Sequence, residues 1–247
     1  MVTLTATNDV LEGAAAQNET ALPGVDLLTL DLSAKLDQYK QQAATTLNAD
    51  GAKTIIGTSN SDVIYSDTGV RFVNGDAGSD LIYGSDGDDY IEGDFSGDQG
   101  QGGNDIVLGG NGKDYIRGNQ GQDILFGDAG DDMLMGGLDS DILWGGQGND
   151  RLAGDGYFQT QSSDVFILAR NSGKDTIVDF QVGVDRIGLS GDLAVEHLEF
   201  SQASGDTVVR DRISDSDIAV LKRVSADDLG PESFIESASD PAPEPGP

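Results

Sequence analysis

The sequence predicts an all-β chain: a thin two-sheet coil of short strands, then a further β-rich region, with an N-terminal segment that contains one short helix. Three observations carry that prediction. Residues 57–153 repeat every nine residues. An apolar residue recurs at one fixed place in each repeat, as one inward side chain per short strand requires. No proline lies between Pro23 and Pro231, which suits uninterrupted hydrogen-bonded ladders.

The central copies read GGNGKDYIR (residues 109–117), GNQGQDILF (118–126), GDAGDDMLM (127–135), GGLDSDILW (136–144) and GGQGNDRLA (145–153). Earlier copies are GDAGSDLIY from Gly75 and GSDGDDYIE from Gly84. Each divides into a six-residue turn and a three-residue strand. Glycine at positions 1, 2 and 4 permits left-handed or otherwise strained backbone. Asp76, Asn119 and Asp128 replace it at position 2 and Asp139 at position 4, and these residue types tolerate that region best. Position 8 is apolar throughout: Ile64, Val73, Ile82, Ile91, Val107, Ile116, Leu125, Leu134, Leu143 and Leu152.

The pattern G-G-x-G-x-D-x-U-x, with U aliphatic, resembles the nonapeptide of the RTX family of secreted calcium-binding proteins. The resemblance implies a calcium-filled parallel β-roll with two nonapeptides per turn. Position 6 then carries the chemistry, with Asp62, Asp80, Asp89, Asp105, Asp114, Asp123, Asp132, Asp141 and Asp150. In a roll, alternate repeats stack on one edge about 4.8 Å apart. The odd column is Asp62, Asp80, Asp105, Asp123, Asp141; the even column is Asp89, Asp114, Asp132, Asp150. Carboxylates about 5 Å apart repel by roughly 3 kcal/mol per pair at an effective dielectric near 20. Such columns need cations, and calcium suits them: hard, oxygen-seeking, tolerant of many ligands including main-chain carbonyls. Turn capping alone does not demand aspartate at one fixed phase.

By the same resemblance each ion sits between successive turns, held by two position-6 aspartates and by turn carbonyls. The carbonyl candidates are Gly109, Asn111, Gly118, Gln120, Gly127, Ala129, Gly136 and Gly145. Adjacent pairs give seven sites, and Asp141 with Asp164 gives an eighth. Two repeats depart from the pattern. SDTGVRFVN (66–74) places Arg71 at position 6, so the even column lacks a site at its start and Arg71 is expected to neutralise neighbouring carboxylates. GDFSGDQ (93–99) is a seven-residue insertion in which Asp94 or Asp98 adds ligands.

Taken in order, residues 1–52 form an N-terminal capping segment. TATNDVLEG (5–13) is similar to a worn repeat with Asp9 at position 6, and residues 22–32 are apolar and strand-like near their end. Ser33 is a candidate N-cap, and Leu36, Tyr39, Ala43 and Leu47 recur at helical spacing, which predicts a helix over 33–47. The roll occupies 53–156 and a β-rich cap 157–235. The cap's opening (164–190) is similar to the segment that follows the repeats in secreted RTX proteases and lipases. Gly188 stands there in place of a usual carboxylate, while Asp175 and Asp179 are candidates for a terminal site. Strands are expected at 197–200, 207–210 and 217–221, and a helical turn at 224–229. The proline-rich tail 236–247 is expected to be disordered.

Strand side chains alternate, so positions 7 and 9 face outward. On the odd sheet these are Val63/Tyr65, Leu81/Tyr83, Ile106/Leu108, Ile124/Phe126 and Ile142/Trp144, all apolar or aromatic. Soluble monomers rarely leave such a patch bare. The expected cover is the N-terminal segment, through residues 22–32 and the face of Leu36, Tyr39, Ala43 and Leu47. The alternative is a ligand or a second copy.

Formal net charge is −30, and residues 57–153 hold 19 acidic and 4 basic side chains. That balance opposes nucleic-acid or anionic-membrane binding. Cysteine is absent, which excludes disulfides and thiolate sites. No cleavable N-terminal signal and no membrane span are read from the sequence. No catalytic domain is read either: His197 is the sole histidine, and no G-x-S-x-G elbow occurs. The expected function is a secreted or cell-surface protein folded by calcium, without enzymatic activity. The alternative is a calcium-dependent module that binds a surface polysaccharide, a protein or itself through the outer face of the odd sheet.

Overall fold

The computed structural model describes residues 32–43, 45–48, 53–67, 70–95, 102–156 and 162–235. The fragment 5–13, residues 22–31, Asp98 and the tail from 236 lie outside these. Among the described residues one helix, α1 (Leu32–Gln42), precedes two long sheets. With strands numbered in chain order, the odd sheet contains β1 (Thr45–Asn48), β3 (Asp62–Tyr65), β5 (Leu81–Ser85), β7 (Ile106–Gly110) and β9 (Ile124–Phe126). It continues with β11 (Ile142–Trp144), β13 (Val165–Leu168), β15 (Arg186–Leu189) and β19 (Phe234–Ile235). The even sheet starts at β2 (Thr54–Thr58) and runs through β4 (Phe72–Asp76), β6 (Tyr90–Asp94), β8 (Tyr115–Asn119), β10 (Met133–Gly137), β12 (Arg151–Ala153) and β14 (Asp175–Ile177). It is completed by β18 (Ser216–Leu221), β17 (Asp206–Asp211) and β16 (Leu198–Ala203).

The chain winds as a parallel β-roll, because from β1 to β15 consecutive strands fall in opposite sheets and each strand as far as β13 pairs in parallel with the one two places on; β14 and β15 then pair in parallel with β18 and β19. The nine-residue period fixes that alternation. Val63 pairs with Leu81 and Ile124 with Ile142, one full turn of 18 residues apart. Only the last hairpins are antiparallel, β16 with β17 and β17 with β18.

The core lies between the sheets. All ten position-8 side chains, from Ile64 to Leu152, are 0% exposed, as one inward residue per strand requires. Both sheets run on past residue 156, and Phe166, Ile177, Ile187, Val209 and Leu221 extend the same core.

The N-terminal segment departs from expectation at one point. The helix ends at Gln42, and Leu47 belongs to β1, opposite Ile64 of β3. The β-branched pair Thr45–Thr46 favours a strand, and pairing with β3 then overrides helical spacing. Leu47 consequently packs on the inner core, whereas Leu36, Tyr39 and Ala43 lie on the outer face of the odd sheet with Val63, Leu81, Tyr83 and Ile106. Two smaller differences concern the cap. His197 sits in a 3-10 turn, Val195–His197, and only Ala226–Asp228 of residues 224–229 is helical. Gly188 faces outward, where a Cβ would lie 2.5 Å from Ile167 Cδ1, so a larger residue there would have to displace the end of that side chain.

Candidate metal centre

The position-6 aspartates form the two expected columns along opposite edges of the roll, held by a ladder of their own. The N–H of Asp62 donates to Oδ1 of Asp80 at 2.7 Å, Asp80 to Asp105 at 2.8 Å, Asp105 to Asp123 at 2.8 Å and Asp123 to Asp141 at 2.8 Å. The series continues from Asp141 to Asp164 at 2.9 Å and from Asp164 to Asp185 at 3.0 Å. On the even edge Asp89 donates to Asp114 at 2.9 Å, Asp114 to Asp132 at 2.8 Å, Asp132 to Asp150 at 2.9 Å and Asp150 to Asp175 at 3.1 Å. Asp185 was not among the sequence candidates. Its signal was its place two residues before the core position Ile187, as Asp164 stands before Phe166.

One oxygen of each carboxylate builds the ladder, and the other is left over. Oδ2 of Asp80, Asp105, Asp114, Asp132, Asp141, Asp150 and Asp164 is buried with no hydrogen-bond partner. Buried polar atoms rarely stay unpaired, since each costs about 1–3 kcal/mol and more when charged. The column ends differ. Asp62, Asp89 and Asp185 turn Oδ2 onto the N–H of Thr58, Ser85 and Gln181 in their own turns, at 2.6, 2.8 and 2.7 Å.

The position-1 glycines complete the cradle. None of Gly75, Gly109, Gly118, Gly127, Gly136 and Gly145 has a positive φ, nor has Gly93, which opens the insertion yet takes the position-1 place against Asp105 Oδ2, so close approach rather than backbone freedom requires glycine there. A Cβ on Gly75 would lie 2.2 Å from Asp80 Oδ2 and 2.3 Å from the Gly93 carbonyl oxygen; on Gly127, 2.5 Å from both Asp132 Oδ2 and the Gly145 carbonyl oxygen. Gly118, Gly136 and Gly145 meet Oδ2 of Asp123, Asp141 and Asp150 in the same way. An unpaired carboxylate oxygen and a carbonyl of the next turn thus converge at one spot, which is an oxygen set fit for a hard cation. Position 2 is where the backbone is left-handed, with Asp76 at φ 74°, Asn119 at 83° and Asp128 at 69°.

A second ladder, at position 5, was missed in the sequence because its residue type varies. Ser61 Oγ accepts from Ser79 N–H at 3.1 Å, Ser79 Oγ from Asn104 at 2.9 Å and Asn104 Oδ1 from Gln122 at 2.8 Å. Asp88 Oδ1 and Asp131 Oδ1 accept from Lys113 and Asn149 on the other edge, each at 2.9 Å. The only shared trait is a short polar acceptor. At position 3, Asn111, Ala129 and Gln147 bridge turn to turn, and the Ala129 carbonyl accepts the Gly112 N–H at 2.8 Å.

Burial without counter-charge moves the carboxyls upward. Asp80 and Asp132 are pushed up to about 8, and Asp114 and Asp164 to about 7. Desolvation is the largest cause in each, the neighbouring column carboxylate adds to it, and the main-chain N–H bond works the other way. Arg71 is exposed and forms no ion pair among the described residues, so none of the neutralisation expected of it is seen there. Asp94 is buried with both oxygens 3.2 Å from the Gly103 N–H, and Asp179 accepts from Gly154 and Gly156, each at 3.0 Å. Among the described residues no three His, Asp or Glu side chains converge on one point, so a cation here draws on carboxylate pairs plus carbonyls.

The family model of the RTX calcium-binding nonapeptide repeat (4 copies) matches residues 72–99, 99–134 and 126–156. No curated protein matches the chain. Among solved structures, the extracellular lipase LipA from Serratia marcescens is 18% identical, with a TM-score of 0.34, over 74% of this chain and 39% of the lipase. The AlgE6R3 subunit of the Azotobacter vinelandii mannuronan C5-epimerase is 25% identical, with a TM-score of 0.38, over 66% of this chain and 86% of that one. The chain thus spans well under half the length of the lipase.

Proposed function

Because residues 72–156 are RTX calcium-binding nonapeptide repeats, we propose that this chain is a secreted or cell-surface protein whose folding is driven by about seven to eight calcium ions. The observation that carries the reading is the row of buried, unpartnered Oδ2 atoms, each against a position-1 glycine. Bound calcium would supply the charge that lets those carboxylates stay ionised inside the roll. The residues that would hold it are the column pairs from Asp62 to Asp164 and from Asp89 to Asp150, with the position-1 carbonyls. The open Oδ2 of Asp164 supports an eighth ion beside Asp141.

Sites that exist only in the folded roll convert binding energy into folding energy. Extracellular calcium modules work at roughly 0.1–1 mM, a level suited to the outside of a cell. The chain would leave the cell unfolded and fold outside. Among the described residues no helix is long and apolar enough to cross a membrane. The role is binding rather than catalysis. His197, the sole histidine, lies 3.4 Å from Arg170 and 3.3 Å from the Ala194 N–H through Nδ1. The alternative reading, a binding module that uses the odd outer face, is weakened because α1 lies on part of that face. Equilibrium dialysis of the full chain against calcium tests the proposal: seven to eight ions per chain are expected, and none would overturn it.

A further inference from the structure

The helix α1 meets the odd aspartate column where the nine-residue repeat loses step. From Asp62 to Asp141 successive aspartates are 18 residues apart, except that Asp80 to Asp105 spans 25 because of the insertion; past the repeats Asp141 to Asp164 spans 23 and Asp164 to Asp185 spans 21. Tyr39 lies over that step. It is 7% exposed, its hydroxyl donates to the Asn104 carbonyl, and it is hydrogen-bonded to the Ser79 side chain. Ser79 Oγ in turn accepts the Asn104 N–H at 2.9 Å. Ser79 and Asn104 are the position-5 residues directly before Asp80 and Asp105. The charges bearing on the phenol are the carboxylates of Asp105, Asp123 and Asp80. One side chain thus joins the turn before the insertion to the turn after it. On the even edge Asp89 to Asp114 spans the same 25 residues.

We propose that Tyr39 is a positioning residue for the ion held between Asp80 and Asp105, clamping the turns on either side of the insertion, so that docking of α1 and filling of the odd column are coupled. The proposal rests on the calcium reading. The two turns must stand in register for Asp80, Asp105 and the glycine carbonyls to face one ion, and a longer connection raises the entropic cost of bringing them there. Fixing Ser79 against Asn104 removes part of that cost. Coupling of this kind is reciprocal: if docking tightens the ion, the ion tightens docking.

The test uses the full chain at saturating calcium and reads hydrogen exchange of the α1 amides. Asp105→Asn is expected to speed that exchange about tenfold. Asp114→Asn, across the same insertion on the far edge, is expected to leave it unchanged. Tyr39→Phe keeps the ring and removes the hydroxyl; it is expected to weaken one calcium step about fivefold. That loss should vanish in an Asp105→Asn background, a non-additivity that mere packing would not produce. Equal responses of α1 to the two Asn variants, or a Tyr39→Phe effect that adds to Asp105→Asn, would overturn the clamp. Should Asp105→Asn fail to fold, Tyr39→Phe decides alone at saturating calcium: faster α1 exchange together with one weakened calcium step supports the clamp, and α1 exchange equal to wild type overturns it. A wild-type chain that binds no calcium overturns the calcium reading itself, and the clamp with it.

Discussion

The main-chain N–H of Asp105 donates to Oδ1 of Asp123 at 2.8 Å, while Oδ2 of Asp105 is buried without a partner. The carboxylates of the column therefore have two uses. One oxygen joins successive turns; the other is held open against a glycine. Building the roll and building the site are the same act, which is why a metal-free roll carries an electrostatic cost.

That cost gives a prediction with opposite signs in two buffers. Asp132→Asn keeps an oxygen for the Asp114 N–H but removes a charge between Asp114 and Asp150. In chelator the variant should keep more residual β-structure than wild type, because it no longer buries a carboxyl that must either take up a proton or repel its neighbours by up to roughly 3 kcal/mol per pair. In calcium it should melt lower, through loss of a ligand. A variant with less β-structure in chelator and a lower melting point in calcium would show that the columns are not under charge strain.

Position in the column should matter. Asp123 accepts from Asp105 and donates to Asp141, so Asp123→Ala touches two steps. Asp62 begins its column, with Oδ2 on the Thr58 N–H. Calcium titration should show the larger affinity loss for Asp123→Ala, and equal losses would contradict ligands shared between neighbouring ions.

The glycine cradle makes a separate prediction. In Gly127→Ala the added Cβ would fall 2.5 Å from both Asp132 Oδ2 and the Gly145 carbonyl oxygen, and no real Cβ comes so close. The ligands must move apart, so the midpoint of the calcium titration should rise. Gly205 has φ 89° but nothing within 4 Å, so Gly205→Ala should cost about 1 kcal/mol of backbone strain and leave the calcium midpoint alone. A shared shift of that midpoint in both variants would place the effect in the backbone rather than the site.

Much of this was legible because position 6 and position 8 each hold one chemistry at a fixed phase. The ten inward residues follow from that alone, and the roll with its two columns from that together with the resemblance to the RTX nonapeptide. Leu47 was misplaced because helical spacing and strand pairing compete over a few residues, and only the neighbour Ile64 decides between them. The position-5 ladder was hidden because serine, asparagine and aspartate all accept one N–H equally well there. Asp185 was not legible as a column member because it lies past the last nonapeptide, where the nine-residue phase no longer marks position 6.

The pH dependence should also reverse with calcium. Asp114 and Asp164 lie near 7, and Asp80 and Asp132 near 8, in the metal-free fold, against about 3.9 unfolded. The folded state therefore binds more protons between about pH 4 and 8. The stability these groups contribute is fully present below their unfolded values and is lost as pH rises through the folded ones. In chelator the residual β-structure read by circular dichroism should fall from pH 5 to pH 8. In calcium the melting temperature should rise over the same range, because ligands must be deprotonated to bind. A rise in chelator would contradict the burial of unpaired carboxylates.

The central claim is that these columns fold only around calcium, and far-UV circular dichroism of the full chain reads it directly. The account predicts a largely disordered spectrum in chelator and a cooperative gain of β-structure as calcium rises toward roughly 1 mM. A spectrum and melting point unchanged between chelator and calcium would contradict it.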